Sequence, residues 1–187
     1  MRPLLTGAGF DPVDLRELGI AELPEEAGIE CFDTFDENAL AKARYFHRRS
    51  GLPAIADDSG LVVDALDGQP GVHSKRWSGD TSLEGQRLDD ANNALLMRRL
   101  ADASDRGARY LCVAAYVDGV RELVAPGQTE GRIVTAPSGV HGFGYDPYFF
   151  SVDLGCTFGD ADVASKERIS HRGRALRALL ELLEQHG

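Results

Sequence analysis

The spacing of apolar and polar positions divides the chain into a small set of elements. Phe35, Ala39, Ala43 and Phe46 recur at helical intervals. Thr34-Phe35-Asp36-Glu37 ahead of them reads as a capping box: the Thr34 side chain accepts from the Glu37 amide while Glu37 reaches back. Ser50-Gly51, then Pro53, supplies the stop. The helix so bounded runs into a short apolar stretch, Leu52-Pro53-Ala54-Ile55, expected to be a strand that ends at the corner Asp57-Asp58-Ser59-Gly60. Leu61 to Leu66 reads as a second extended piece closed by Asp67-Gly68, and Gly71 to Trp77 as irregular. A helix centred on Asp89 to Leu100 turns Leu88, Ala91, Leu95 and Leu96 inward, with Asn92 and Asn93 to one side. The clearest strand signal is a hairpin, Tyr110–Val117 and Val120–Ala125 about Asp118-Gly119, with a further extended run through Ile133 and Val134. Tyr148-Phe149-Phe150 is another apolar run, and Leu176, Leu179, Leu180 and Leu183 mark an amphipathic helix over 170–185. Residues 1–33 are the least patterned, offering a turn of helix at Asp14–Leu18 and an acidic loop through Pro24.

Helices interleaved with strands, plus one hairpin, predict an α/β fold with a mixed sheet flanked by helices. A chain of 187 residues suits a single α/β domain, with or without a small lobe. No apolar run reaches the length of a membrane span, and the N-terminus lacks a signal peptide's basic-then-apolar layout, so a cytoplasmic protein with no membrane partner is expected. The formal net charge of −10 argues against a nucleic-acid partner, since such binding rests on neutralising phosphates with Lys and Arg. Cys31, Cys112 and Cys156 are odd in number and widely separated, which fits reduced thiols better than a disulfide framework or a zinc site. There is no H-E-x-x-H pattern and no G-x-x-x-x-G-K-[ST] loop, so neither a zinc hydrolase nor a P-loop protein is indicated.

Three groups of residues carry candidate chemistry. Adjacent carboxylates at Asp57 and Asp58, leaving a strand together, form a costly cluster of like charge unless a cation screens them. Hard Mg²⁺ prefers such oxygens, and Glu37 at the preceding helix start is placed to share it. The plain alternatives are a solvated turn for the aspartates and the capping box for Glu37. Ser170-His171-Arg172 puts cations in the first turn of the last helix, where the macrodipole is already positive, so something anionic or carbonyl-like is expected to meet them. Lys166 adds a third cation to that corner, whose plain reading is a solvated basic turn. In Gly142-Phe143-Gly144-Tyr145-Asp146-Pro147 the glycines flanking Phe143 let backbone approach a flat ligand and the ring offers a stacking face, although loop aromatics often simply cover a core.

Taken together, these motifs resemble the inosine/xanthosine triphosphate pyrophosphatase family. The matching pieces are Thr34 to Ala39, Asp57 to Leu61, Pro70-Gly71-Val72 with Ser74 and Arg76, Asn92-Asn93, Gly127 with Glu130-Gly131, Gly142 to Pro147, and Ser170-His171-Arg172, in family order over residues 34 to 185. The resemblance implies an elongated fold with a central nucleotide cleft, a homodimer, and Mg²⁺-dependent hydrolysis of inosine, deoxyinosine and xanthosine triphosphates to the monophosphate and pyrophosphate. Carried over by motif, Glu37 and Asp58 would hold the metal, and Asp58 would be the base for the attacking water, with Asp57 the runner-up for either task. Ser59 would touch the nucleotide and Phe143 would stack on the purine. Gly144, Tyr145 and Asp146 would shape the pocket, and Lys166, His171 and Arg172 would read the 6-oxo edge. Such an edge accepts hydrogen bonds where adenine's amino group donates, so buried donors penalise the wrong base.

One departure qualifies this. Family members begin with a strand and a Thr/Ser-x-Asn-x-x-Lys loop that holds the triphosphate, whereas residues 1–33 contain no Lys and Leu4 to Phe10 resembles the end of the family's first helix. A single domain N-terminally shortened relative to the family is therefore expected, with weak or no activity in residues 1–187. Lys75 and Glu167 also depart from the usual residues, which bears on fine specificity. Two other readings follow: a catalytically silent nucleotide-binding or dimerisation paralogue, and a glycosidase using Glu37 and Asp58 as paired carboxylates, the latter thin because Trp77 is the only tryptophan.

Overall fold

In the computed structural model, which describes residues 1–185, the chain opens on a six-residue helix, α1 (Arg2–Gly7), followed by loops and a 3-10 turn at Pro24–Gly28. Helix α2 (Phe35–Ser50) begins at the expected cap. Thr34 Oγ1 accepts from the Glu37 amide at 3.2 Å and its hydroxyl donates to the Glu37 carboxylate at 2.7 Å. Gly51 ends the helix in the left-handed conformation at φ 70°, where a side chain would be strained.

The next element corrects the sequence reading. Strand β1 runs without interruption over Ala54–Val63, so Asp57 to Gly60 lie within it and do not turn a corner. Gly60 is a close-approach position: a Cβ there would lie 2.3 Å from Gly71 O and 2.5 Å from Ser74 Oγ. The strand then gives way to 3-10 turns at Asp64–Leu66 and Gly71–Arg76. Helix α3 spans Gly85–Arg99, and its buried side chains are Asn92, Asn93 and Leu96; of the expected apolar quartet only Leu96 is fully buried, while Leu88, Ala91 and Leu95 are half-buried. The Asn92 amide accounts for its own burial, accepting from Ser78 N–H at 2.7 Å and donating to Lys75 O at 3.0 Å.

The hairpin is where the sequence put it, with longer arms. Strands β2 (Gly107–Val117) and β3 (Glu122–Ile133) flank a turn in which Gly119 takes φ 88°. Strand β4 (Phe149–Ser151) pairs antiparallel with β3, Ile133 opposite Phe149, and β5 (Cys156–Thr157) pairs antiparallel with β4. The five strands are hydrogen-bonded in chain order. Helix α4 (Val163–Ile169), not foreseen, starts where Asp162 accepts from the Ser165 amide at 2.9 Å. Helix α5 (His171–Gln185) follows after the extended Ser170.

The chain divides into two compact units. One comprises Met1–Asp58, Cys112–Gly127 and residues 172–185; the other comprises Ser59–Leu111 and Gln128–His171. The core of the first is made by Leu176, Leu179, Leu180 and Leu183 of α5 against Cys112, Ala114 and Tyr116 of β2, with Leu5 of α1 and Ala125 of β3. Each of those leucines contributes about 1.5–3 kcal/mol by leaving water. The core of the second joins Leu61 and Val63 to Leu96, Leu100, Tyr110, Ile133, Phe149 and Phe158.

Candidate functional site

In the first unit the two aspartates have separate surroundings. Successive side chains of a strand point to opposite faces, so Asp57 and Asp58 diverge. Asp57 accepts from Arg172 Nε at 2.8 Å and from the Cys112 thiol at 3.6 Å. Burial and the nearby Asp57 carboxylate push the Cys112 thiol far up, so it stays protonated and acts as a donor, not a nucleophile. The first-turn cation of α5 thus meets the anion that the macrodipole argument called for, supplied by the protein itself.

Asp58 is 8% exposed and accepts from Asn38 Nδ2 at 3.0 Å, while Lys42 Nζ lies 3.5 Å from its other oxygen. Asn38 and Lys42 are four residues apart on α2 and share a face. The Asn38 amide also exchanges hydrogen bonds with the Phe32 backbone, at 3.0 and 3.2 Å, tying the segment ahead of α2 to the Asp58 strand. Lys42 in turn donates to Glu30 at 2.6 Å. One ammonium therefore stands between two carboxylates, Glu30 and Asp58. Glu37 is exposed and engaged in the capping box.

The second unit carries the aromatic and cationic residues. Asp146 is 3% exposed and accepts from the Phe143 amide at 2.8 Å, from Lys166 Nζ at 2.5 Å and from the Tyr110 hydroxyl at 3.4 Å. That single carboxylate shapes the Gly142–Asp146 loop and neutralises the lysine. Lys166 Nζ also lies 5.5 Å from the Phe143 ring centroid, and that ring is 69% exposed. The His171 ring stacks on Tyr110 at 4.8 Å with an interplanar angle of 10°. Burial, then the Asp146 carboxylate, holds the Tyr110 hydroxyl well above the usual phenol range, so it remains a neutral donor. Tyr145 is 4% exposed and its hydroxyl donates to Ser74 O at 2.8 Å, so its side chain belongs to the core and leaves only backbone for a ligand. The Gly144 N–H and carbonyl are both engaged by α3, and Ser59 is half-buried in β1.

The whole of this arrangement lies within one family match: the Ham1 family model covers residues 1–182. The chain belongs to the Ham1 family. Among Ham1-related proteins, a dITP/XTP pyrophosphatase of Burkholderia pseudomallei is 49% identical over 183 residues, spanning 96% of this chain and 85% of its own length. A dITP/XTP pyrophosphatase of Bordetella pertussis is 48% identical over 187 residues, spanning 98% and 84%. The structure of a HAM1 protein from Coxiella burnetii superposes with a TM-score of 0.84 at 35% identity, covering 98% of this chain and 91% of that one. These findings bear out both the resemblance drawn from the motifs and the α/β fold.

Sequence reasoning about this Ham1 chain missed Glu30, Asn38 and Lys42. A helical-face reading of α2 held the signal for the last two, because a buried Asn and a Lys four residues on must face the same neighbour. Glu30 had none, lying in a loop with no periodicity. Among the described residues no group of three or more His, Cys, Asp or Glu side chains is gathered as a metal cage. Two carboxylates about one cationic position nevertheless suit Mg²⁺, which is held by one or two carboxylates with substrate phosphates completing its shell.

Proposed function

We propose that this chain hydrolyses aberrant purine nucleoside triphosphates, dITP, ITP and XTP, to the monophosphate and pyrophosphate with Mg²⁺, as a cytoplasmic homodimer and a single catalytic domain. The substrate class follows from relatives named dITP/XTP pyrophosphatase at 48–49% identity. The observation that carries the chemistry is the buried Asp58 carboxylate, fixed by Asn38 and sharing Lys42 with Glu30.

Asp58 and Glu30 are the residues that would hold Mg²⁺, in preference to the Glu37 of the motif, whose carboxylate the capping box engages. When bound, the ion would neutralise phosphate charge and lower the pKa of a coordinated water. Asp58 is also the group to orient the attacking water and accept its proton, since Asn38 fixes one of its oxygens. Lys42 balances the acid pair in the resting protein. Phe143 offers the purine a face. Lys166 and His171 are the donors for the 6-oxo group, and Asp146 sets the lysine's position. Arg172, paired with Asp57, acts as the cation that holds the opposite face of β1.

The test is pyrophosphate release with Mg²⁺ from dITP, XTP, dATP and dGTP. It should be run on residues 1–187. Release from dITP and XTP well above that from dATP is expected. Nucleotide binding with no release would favour the silent paralogue and overturn the enzyme.

A further inference from the structure

Gly144 is gripped from α3 at both of its peptide groups. Its N–H donates to Asp89 Oδ2 at 2.8 Å and its carbonyl accepts from Asn93 Nδ2 at 2.9 Å. Asp89 and Asn93 stand four residues apart, one turn above the other on one helix face. Asn93 is 6% exposed, yet its Oδ1 meets no hydrogen-bond donor among the described residues. An amide buried with its acceptor unmet is a poor choice for filling space, because the unmet oxygen costs more than a typical hydrogen bond returns. Leu has nearly the same shape without that cost. The side chain is therefore explained by what its nitrogen does, which is to hold the Gly144 carbonyl.

We propose that Asp89 and Asn93 are positioning residues for base recognition: they fix the backbone of Gly144, and with it the presentation of the neighbouring Phe143 ring. The inference rests on the reading of Phe143 as the purine's stacking face. Asp146 anchors the Phe143 amide from within the loop, and the α3 pair anchors Gly144 from outside it. With both anchors in place the backbone that carries the solvent-facing Phe143 ring is held, so a flat ligand meets the ring without first ordering the loop. Contacts of this kind are equal in ground and transition states, so they act on KM and not on kcat.

Three variants test this, by calorimetric titration with inosine monophosphate, dITP kinetics and thermal unfolding. Asn93→Leu is expected to weaken inosine monophosphate binding and raise KM about tenfold, leave kcat within about twofold, and keep or raise the Tm. Asp89→Ala should do the same to binding, while Asp89→Asn, which still offers an oxygen to the Gly144 amide, should stay within about threefold of wild type. Asn93→Leu with lowered Tm and unchanged binding would assign the pair a purely structural role and overturn the proposal. Should Asn93→Leu not fold, the Asp89 pair decides: equal binding by the Ala and Asn variants overturns it. A wild-type chain that neither binds inosine monophosphate nor turns over dITP would overturn the underlying reading; an active wild type with unaffected variants overturns only this inference.

Discussion

Replacing Asp146 by Ala isolates the residue that holds the Gly142–Asp146 loop of the second unit. The change removes the acceptor of three donors: the Phe143 amide, the Lys166 ammonium and the Tyr110 hydroxyl. The Asp146 side chain is 5% exposed and that of Lys166 21%, so the pair is largely withdrawn from water. Breaking a fully buried pair costs about 3–5 kcal/mol. Lys166 retains some solvent and the faces of Phe143 and Phe158, at 5.5 and 5.0 Å, which together recover about 1 kcal/mol. A loss of about 3 kcal/mol is expected, or about 6–12 °C in Tm for a chain of this size. Asp146→Asn keeps one oxygen as acceptor for the Phe143 amide, and loses the charge and the second acceptor that faces the Tyr110 hydroxyl, so about half that loss is expected. Urea unfolding followed by fluorescence is the assay, because Trp77 is the sole tryptophan and packs on the second unit's core. An Ala variant within about 0.5 kcal/mol of wild type, or an Asn variant as damaged as the Ala one, would refute the reasoning.

Gly60→Ala drives a methyl into Gly71 O and Ser74 Oγ, at 2.3 and 2.5 Å, and neither yields easily because Ser74 Oγ is bound to both Gly71 O and the Leu61 amide. A loss of about 1–3 kcal/mol is expected, and an unchanged Tm would contradict it. The hairpin turn carries a pH signature. Hydrogen bonds from the Arg121 and Val120 amides hold the Asp118 carboxyl well below the usual carboxylate range. Its folded pKa being depressed, the unfolded chain binds the extra proton. The stability it contributes is present above the unfolded pKa of about 3.9 and is lost as pH falls through the lower folded value. Asp118→Asn should flatten the Tm profile in that acidic window, and a parallel profile would contradict the assignment.

The elements that were legible in the sequence are those whose signals are local. Helix α2 has its cap, its stop and its apolar stripe within 17 residues of Thr34, and α5 declares itself by four leucines. Strand β1 was misread because Gly60 looks like a turn residue, while its actual constraint is the backbone of Gly71 eleven residues on. The buried stripe of α3 was misjudged because Asn92 and Asn93 reach the interior only where Lys75, Ser78 and Gly144 supply partners, and those lie outside the helix. Helix α4 carried a readable cap in Asp162 and Ser165, but its seven residues are too few to show a period. Among the candidate residues, Asp58, Phe143 and Lys166 were singled out by residue type and order. The pairing of Asp58 with Glu30 through Lys42 joins a loop, a helix and a strand, and no spacing rule links those three positions.

The central claim is that Glu30 and Asp58 form the acid pair and Glu37 caps a helix. It is tested most directly by the initial rate of pyrophosphate release from dITP in Mg²⁺ for Glu30→Gln, Glu37→Gln and Asp58→Asn beside wild type. The account predicts that the Glu30 and Asp58 variants lose about a hundredfold or more in kcat with their folds intact, while the Glu37 variant stays within about threefold. A Glu37 variant as inactive as Asp58→Asn, alongside an active Glu30 variant, would contradict it.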